Sequence, residues 1–356
     1  MGPARSADPQ QGASGASLMG PARSADPQQG ASGASLMARG EPLAGSHRGT
    51  LGLLGEDQPA ILTKGLTKTY GSVIALAGLS MSVPRGEVFG FLGPNGAGKT
   101  TAIKLLLGLA RPTSGSAWVL GAPAGKTSTR RRIGYLPELF RYQSWLSAYE
   151  VLRFHCELAQ IPRSRWAAEA ERALVTVGLA ERAHDRVATF SKGMQQRLGL
   201  GVALLGSPDL VFLDEPTSAL DPVGRRDVRD VIRHLKSHGV TVFLNSHLLS
   251  EVEQVCDRVA VVHRGTVIAS GPLSSLLADS GVRIRVAGLP AGGLDGLGRF
   301  GAVEMAGDWL SVSGIGLDAV PDLVAAVVAM GGRVYAVEPR HQSLEERFMQ
   351  LLGGER

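Results

Sequence analysis

The chain has few cysteines, no long apolar run and no strong excess of one charge. Only Cys156 and Cys256 occur among 356 residues, both in stretches patterned as helices. A disulfide framework is therefore excluded and a reducing compartment expected. No apolar segment approaches the roughly 18 residues that a spanning helix needs, so the chain is expected to be soluble or a peripheral subunit. No apolar h-region follows the first Met, which argues against a secretory signal. Lys and Arg number 37 against 32 Asp and Glu, and the one tight basic run is Arg130, Arg131 and Arg132. That balance describes a solvated face, and no nucleic acid is expected as a partner. What the chain does have is 44% hydrophobic residues and a length that suggests about two domains.

The first 36 residues are the unit MGPARSADPQQGASGASL written twice without a mismatch. Ala, Gly, Ser, Pro and Gln dominate it and give a core almost nothing to bury, so a disordered tail is expected over residues 1–58. Two such units cannot build a solenoid. Met1, Gly2 and Ser6 match a myristoylation pattern, a weak signal in so biased a segment. Met37, just after the second copy, offers a start of its own, and the leader is expected to be dispensable. Ordered sequence is expected from near Ala60.

The most informative stretch is Gly93, Pro94, Asn95, Gly96, Ala97, Gly98, Lys99 and Thr100, followed by Thr101. It fits G-x-x-x-x-G-K-[ST], the phosphate-binding loop. Glycines let successive N–H groups turn toward phosphate oxygens, and the next helix adds its positive end. Lys99 would reach the β- and γ-phosphates of a nucleotide, and the Thr100 hydroxyl would ligate magnesium. Context agrees, since Val88 to Leu92 reads as a buried strand and Thr100 to Leu109 as an apolar helix. Upstream, Tyr70 could stack on a purine, although a lone Tyr more often packs.

A short strand ends at Pro137, and Leu139 to Trp145 puts Phe140, Tyr142 and Trp145 in a turn-like stretch. Such aromatics either pack in a core or mark a partner surface. Ser147 and Glu150 form a capping box for a helix through about Ala159, and Ser164 is expected to cap another ending at Gly178. This block, about residues 139–190, reads as a helical insertion. Phe190 to Leu205 then reads as a helix, and Leu210 to Leu213 as a buried strand delivering Asp214 and Glu215. Beside a phosphate loop, the first acid suits magnesium and the second suits polarising the attacking water. The next buried strand delivers His247 to the same sheet edge, in reach of a γ-phosphate.

Taken in order, these motifs resemble the ATP-binding-cassette (ABC) ATPase family over about Ile61 to Gly271. Tyr70 matches the A-loop, Gly93 to Thr100 the Walker A, and Ser191, Lys192, Gly193, Met194 and Gln195 the signature motif. Leu210 to Glu215 matches Walker B, Ser218 to Asp221 the D-loop, and His247 the switch histidine. Two departures stand out: the signature reads Phe-Ser-Lys-Gly-Met, and Glu138 replaces the Q-loop glutamine. Both resemble drug- and antibiotic-exporter ATPases. The resemblance implies a P-loop α/β fold over 59–280, ATP and Mg2+ as cofactors, and catalysis by Glu215, His247 and Lys99. It places magnesium at Thr100, Asp214 and Glu138. It implies nucleotide contacts from Tyr70, the whole loop from Gly93 to Thr101 and Asp221, and it gives Ser191 and Gly193 to the ATP of a partner copy. It further implies a homodimer that energises a separate permease from the cytoplasmic face of the membrane. An importer subunit and a soluble ABC protein acting on ribosomes or nucleic acid are the rival readings. The latter types carry two cassettes or long coiled-coil or zinc insertions, which this chain lacks.

After Pro272, Val282 to Val286, Trp309 to Val312 and Arg333 to Val337 alternate as half-buried strands. Ala319 to Met330 and Ser343 to Leu352 read as helices. A small α+β domain is expected over 281–356, joined through the Gly-rich segment 291–298. The resemblance makes it regulatory or dimer-supporting.

Overall fold

The computed structural model describes residues 58–353, apart from 219, 278–280, 291–293, 341 and 342. All but the last residue of the expected N-terminal tail lies outside the described residues.

Two sheets enclose the first core. An antiparallel sheet has the order β2-β1-β4-β5, from β1 (Ile61–Tyr70), β2 (Val73–Val83), β4 (Ser114–Val119) and β5 (Ala122–Pro123). The second is six-stranded, in the order β10-β9-β3-β8-β7-β6. Its members are β3 (Val88–Leu92), β6 (Ile133–Leu136), β7 (Leu210–Asp214), β8 (Thr241–Asn245), β9 (Arg258–His263) and β10 (Thr266–Pro272). All neighbours in it are parallel except the β9–β10 hairpin. Strands buried on both faces need unbroken apolar runs, and β3, β7 and β8 are buried at every residue. Phe243 stands at their centre, with ring centroids 5.1 Å from Phe91, 5.3 Å from Phe212 and 5.9 Å from Phe89.

Helices α1 (Lys99–Leu106), α2 (Thr127–Arg130), α6 (Pro222–Ser237) and α7 (Leu249–Val255) accompany these sheets. Between β6 and β7 the chain builds a helical lobe of α3 (Ala148–Leu158), α4 (Trp166–Thr176) and α5 (Lys192–Ala203). The capping box is formed: Glu150 N donates to Ser147 Oγ (3.2 Å) and Ser147 N to Glu150 Oε2 (2.8 Å). Two sequence expectations are corrected, for Ser164 and Cys256, and one alternative is resolved residue by residue. Ser164 caps nothing; it sits in a 3₁₀ turn, Arg163–Arg165, closed by Arg165 N donating to Pro162 O (2.9 Å), with Trp166 Nε1 donating to Ile161 O (2.8 Å) beside it. Cys256 lies one residue past α7, in extended backbone. Phe140 and Tyr142 pack against the lobe's core, 5.3 Å apart, while Leu139 and Trp145 are 87% and 69% exposed.

One buried acid ties the lobe together. Glu169, 4% exposed, accepts from Arg165, Arg172 and Gly206 N. Burial pushes its carboxyl up, but the bonds to Arg172, Gly206 and Arg165 outweigh that and leave it below its usual value. Glu169→Gln should therefore cost about 2 kcal/mol of unfolding free energy at neutral pH. A depressed carboxyl stabilises above its unfolded value of about 4.3 and ceases to do so as pH falls through the folded value. The gap between wild type and variant in urea should narrow below pH 4; a constant gap down to pH 3 would contradict it.

Beyond α8 (Leu273–Leu276), β11 (Gly281–Ala287), β12 (Ala302–Ala306), β13 (Trp309–Ser313) and β14 (Arg333–Arg340) form an antiparallel sheet ordered β12-β13-β11-β14. Helix α9 (Val320–Ala329) covers it, and Val282, Ile284, Leu310, Leu323 and Val327 make a separate core. The last helix, α10 (Leu344–Gly353), packs instead on α7: Leu344 is buried in the first domain's core and its N–H donates to Glu253 (3.2 Å).

Candidate functional site

The parallel strands β3, β7 and β8 end at one edge of the sheet, and each hands its next residues to a single cavity of about 600 Å³. That volume suits a nucleotide. From β3 comes the loop Gly93 to Gly98. A Cβ on Gly93 would lie 2.3 Å from Val262 O, and one on Gly98 2.3 Å from Ala75 O, with Gly98 at φ +99°. Only glycine passes at either point. Of the loop, Gly93, Pro94, Asn95, Gly96 and Gly98 line the cavity, and Ala97 is buried behind it. Lys99, Thr100 and Thr101 open α1 on the same wall. Lys99 Nζ donates to Gly93 O (2.6 Å) and Pro94 O (3.2 Å). Burial lowers its pKa, while Glu215, Asp214 and Glu138 pull the other way.

From β7 come Asp214 and Glu215. Glu215 takes a left-handed φ of +53°, uncommon for a residue with a side chain, and its N–H donates to Asn245 O (2.9 Å). Its Oε2 lies 2.7 Å from His247 Nδ1. Burial raises the Glu215 carboxyl above its ordinary range, opposed by His247. Asp214 is deeper, does not itself line the cavity, and accepts from Asn245 Nδ2. Burial raises its pKa, the Asn245 bond opposes this, and Glu138 raises it further. Glu138, past the end of β6, does line the cavity.

This donor set fits a divalent cation. Asp214, Glu138 and Thr100 present hard oxygens, and Glu138 and Thr100 line the cavity with Asp214 just behind it. Among the described residues no three His, Cys, Asp or Glu side chains form a closed metal cluster. Magnesium fits such an open set, because it keeps waters and takes phosphate oxygens beside one or two carboxylates.

Other expected residues lie elsewhere. Tyr70 ends β1, half-exposed, with Lys68 Nζ 4.7 Å over its ring; its cross-strand neighbour Val73 lines the cavity. Ser191, Lys192, Gly193, Met194 and Asp221 do not line it. Ser191 caps α5, its Oγ accepting from Met194 N (3.2 Å), and Asp221 caps α6, accepting from Gly224 N (2.7 Å). Sequence reasoning missed Val73 and Ile74, two exposed apolar residues at the start of β2, and Asn245 beside Asp214. It also missed Phe348, which α10 brings to the cavity's edge. The adjacent Val73 and Ile74 just after Tyr70 were a signal; nothing in the sequence pointed to Phe348.

The family model described as "ABC transporter" matches residues 76–218. An overlapping match, residues 186–253, is to an AAA domain described as a putative AbiEii toxin of a type IV toxin–antitoxin system. An uncharacterized ABC transporter ATP-binding protein of Nostoc sp. is 40% identical over 82% of this chain and 89% of its own length. The chain belongs to the ABC transporter ATP-binding proteins. It is an ATP-binding, ATP-hydrolysing subunit of that family, with the P-loop α/β fold. A fluoroquinolones export ATP-binding protein of Mycobacterium tuberculosis is 37% identical over 82% of this chain and 93% of its own length. Among solved structures, an ATP-binding subunit of an ABC transporter superposes with a TM-score of 0.56 and 29% identity, over 62% of this chain and 92% of the other. Among the described residues, no helix of this ABC ATPase is long and apolar enough to cross a membrane.

Proposed function

We propose that this ABC ATPase energises an exporter, working as a homodimer attached to a separate permease at the cytoplasmic face of the membrane. The observation that carries the catalytic reading is the Glu215–His247 contact, 2.7 Å, facing Lys99 and Thr100 across one cavity. Lys99 neutralises phosphate charge, exchanging its bonds to Gly93 O and Pro94 O for phosphate oxygens. Glu215 takes the proton of the attacking water, and His247 holds its carboxylate in place. Burial favours that role, since a raised carboxyl is a better base near neutral pH. A Mg2+ ion, held by Thr100 and Asp214 with Glu138 beside it, would supply charge neutralisation at the β- and γ-phosphates. Val73 and Ile74 on the cavity wall, with Tyr70 exposed beside them, offer the purine an apolar and aromatic surface.

The signature residues and Asp221 stand outside the cavity of their own chain, so a second copy is the natural source of such contacts. Glu215, His247 and Ser191 are all present, which favours two equivalent sites and an isologous pair. The exporter reading is supported by the 37% identity to a fluoroquinolones export protein. Leu139 and Trp145, exposed directly after Glu138, form the surface we assign to the permease. Purification of the tagged protein from detergent-solubilised membranes of its own host should recover a multi-spanning membrane protein. Recovery of ribosomes or nucleic acid instead would overturn the reading.

A further inference from the structure

Asn245 touches both acids of the site and has one group left over. Strands β7 and β8 run parallel in a register that sets Asp214 directly against Asn245. Asn245 is 2% exposed and its Nδ2 donates to Asp214 Oδ1. An ionised carboxylate only accepts, so this contact decides which way the amide faces: nitrogen to Asp214, oxygen away. That Oδ1 is buried without a hydrogen-bond partner, and Asn245 lines the cavity together with Lys99, Glu138, Glu215 and His247. Its main-chain oxygen meanwhile accepts from Glu215 N (2.9 Å), at the residue held in left-handed backbone.

A structural role accounts for the Nδ2 bond and leaves Oδ1 unexplained, because a buried amide oxygen without a donor is unfavourable. Lys99, the lysine on the cavity wall, is already bonded to Gly93 O and Pro94 O. A ligand entering the cavity can bring the missing donor. Magnesium bound to nucleotide keeps several waters, each a hydrogen-bond donor.

We propose that Asn245 is a positioning residue for the nucleotide-bound divalent cation, holding Asp214 through Nδ2 and one water of the cation's shell through Oδ1. This rests on the reading of Asp214 as the carboxylate on the cation side. Partners of this kind orient metal ligands, and their loss typically lowers metal affinity 10–100-fold.

The test uses the full chain with Glu215→Gln, so that ATP persists, and calorimetric ATP binding at graded free Mg2+. Asn245→Leu, of similar volume but without either polar group, should raise the half-saturating Mg2+ at least tenfold. ATP affinity in EDTA should stay within twofold of the parent, which a merely structural role would not predict. Asn245→Ser, small enough to be housed without strain, should shift Mg2+ in the same direction and serves if the Leu variant does not fold. The proposal is overturned if half-saturating Mg2+ stays within twofold of the parent, or if affinity in EDTA falls by as much as that in Mg2+. A parent whose ATP binding ignores Mg2+ would instead remove the cation reading of Asp214, and this inference with it.

Discussion

Glu215→Gln should bind ATP about as well as wild type and hydrolyse it 10²–10⁴-fold more slowly, the loss expected for a positioned base. That range corresponds to roughly 3–5.5 kcal/mol of transition-state stabilisation. Glu215 is at the carboxyl end of β7, mostly buried, and 2.7 Å from His247 Nδ1. The amide has nearly the same shape, so packing and the main-chain bond to Asn245 O should survive, and only the proton acceptor is lost. Because ATP then persists, the variant should also double in mass by light scattering at saturating ATP and tens of micromolar protein. Near-wild-type turnover would remove Glu215 from the role of base. A monomer under those conditions would remove the homodimer.

Leu139→Ala combined with Trp145→Ala should abolish recovery of the permease while leaving the isolated subunit's ATPase nearly unchanged. Both side chains are exposed, and neither lines the nucleotide cavity. Anchors of this type contribute roughly 2 kcal/mol or more each at an interface. Removing two would weaken association about a thousandfold if they act independently. Phe140 and Tyr142 belong to a different experiment. The Phe140 ring occupies space that a Cβ on Gly199 would enter at 2.9 Å, and Tyr142 stacks edge-on with His155 at 5.6 Å. Substituting them would loosen the lobe and mimic a docking defect. Co-purification and transport that persist in the Leu139/Trp145 double variant would place the permease elsewhere.

The linkage between these two predictions is short. Glu138 lines the cavity and Leu139 follows it on the surface, one peptide unit away. On the proposed docking, that proximity would give closure around ATP a physical path to the membrane partner.

By itself the sequence determined the features written in neighbouring residues. The Gly-Lys-Thr loop between a buried strand and a helix, the Ser147–Glu150 capping box, and the paired acids ending β7 depend on spacing, cap chemistry and unbroken apolar runs. Each of those acts over a few residues. Tertiary structure alone decided which side chains meet. Glu215 finds His247, 32 residues away, and Asp214 finds Asn245, because β8 lies beside β7 in one register. A one-residue slip would have turned those side chains to the other face. The same dependence separated Phe140 and Tyr142, drawn into the lobe's core, from Trp145, left on the surface a few residues on. It also folded α10 back onto α7, bringing Phe348 to a cavity whose phosphate loop lies some 250 residues earlier in the chain. Apolar periodicity states which face of an element is buried; the partner on that face follows from strand order and packing, which no local pattern carries.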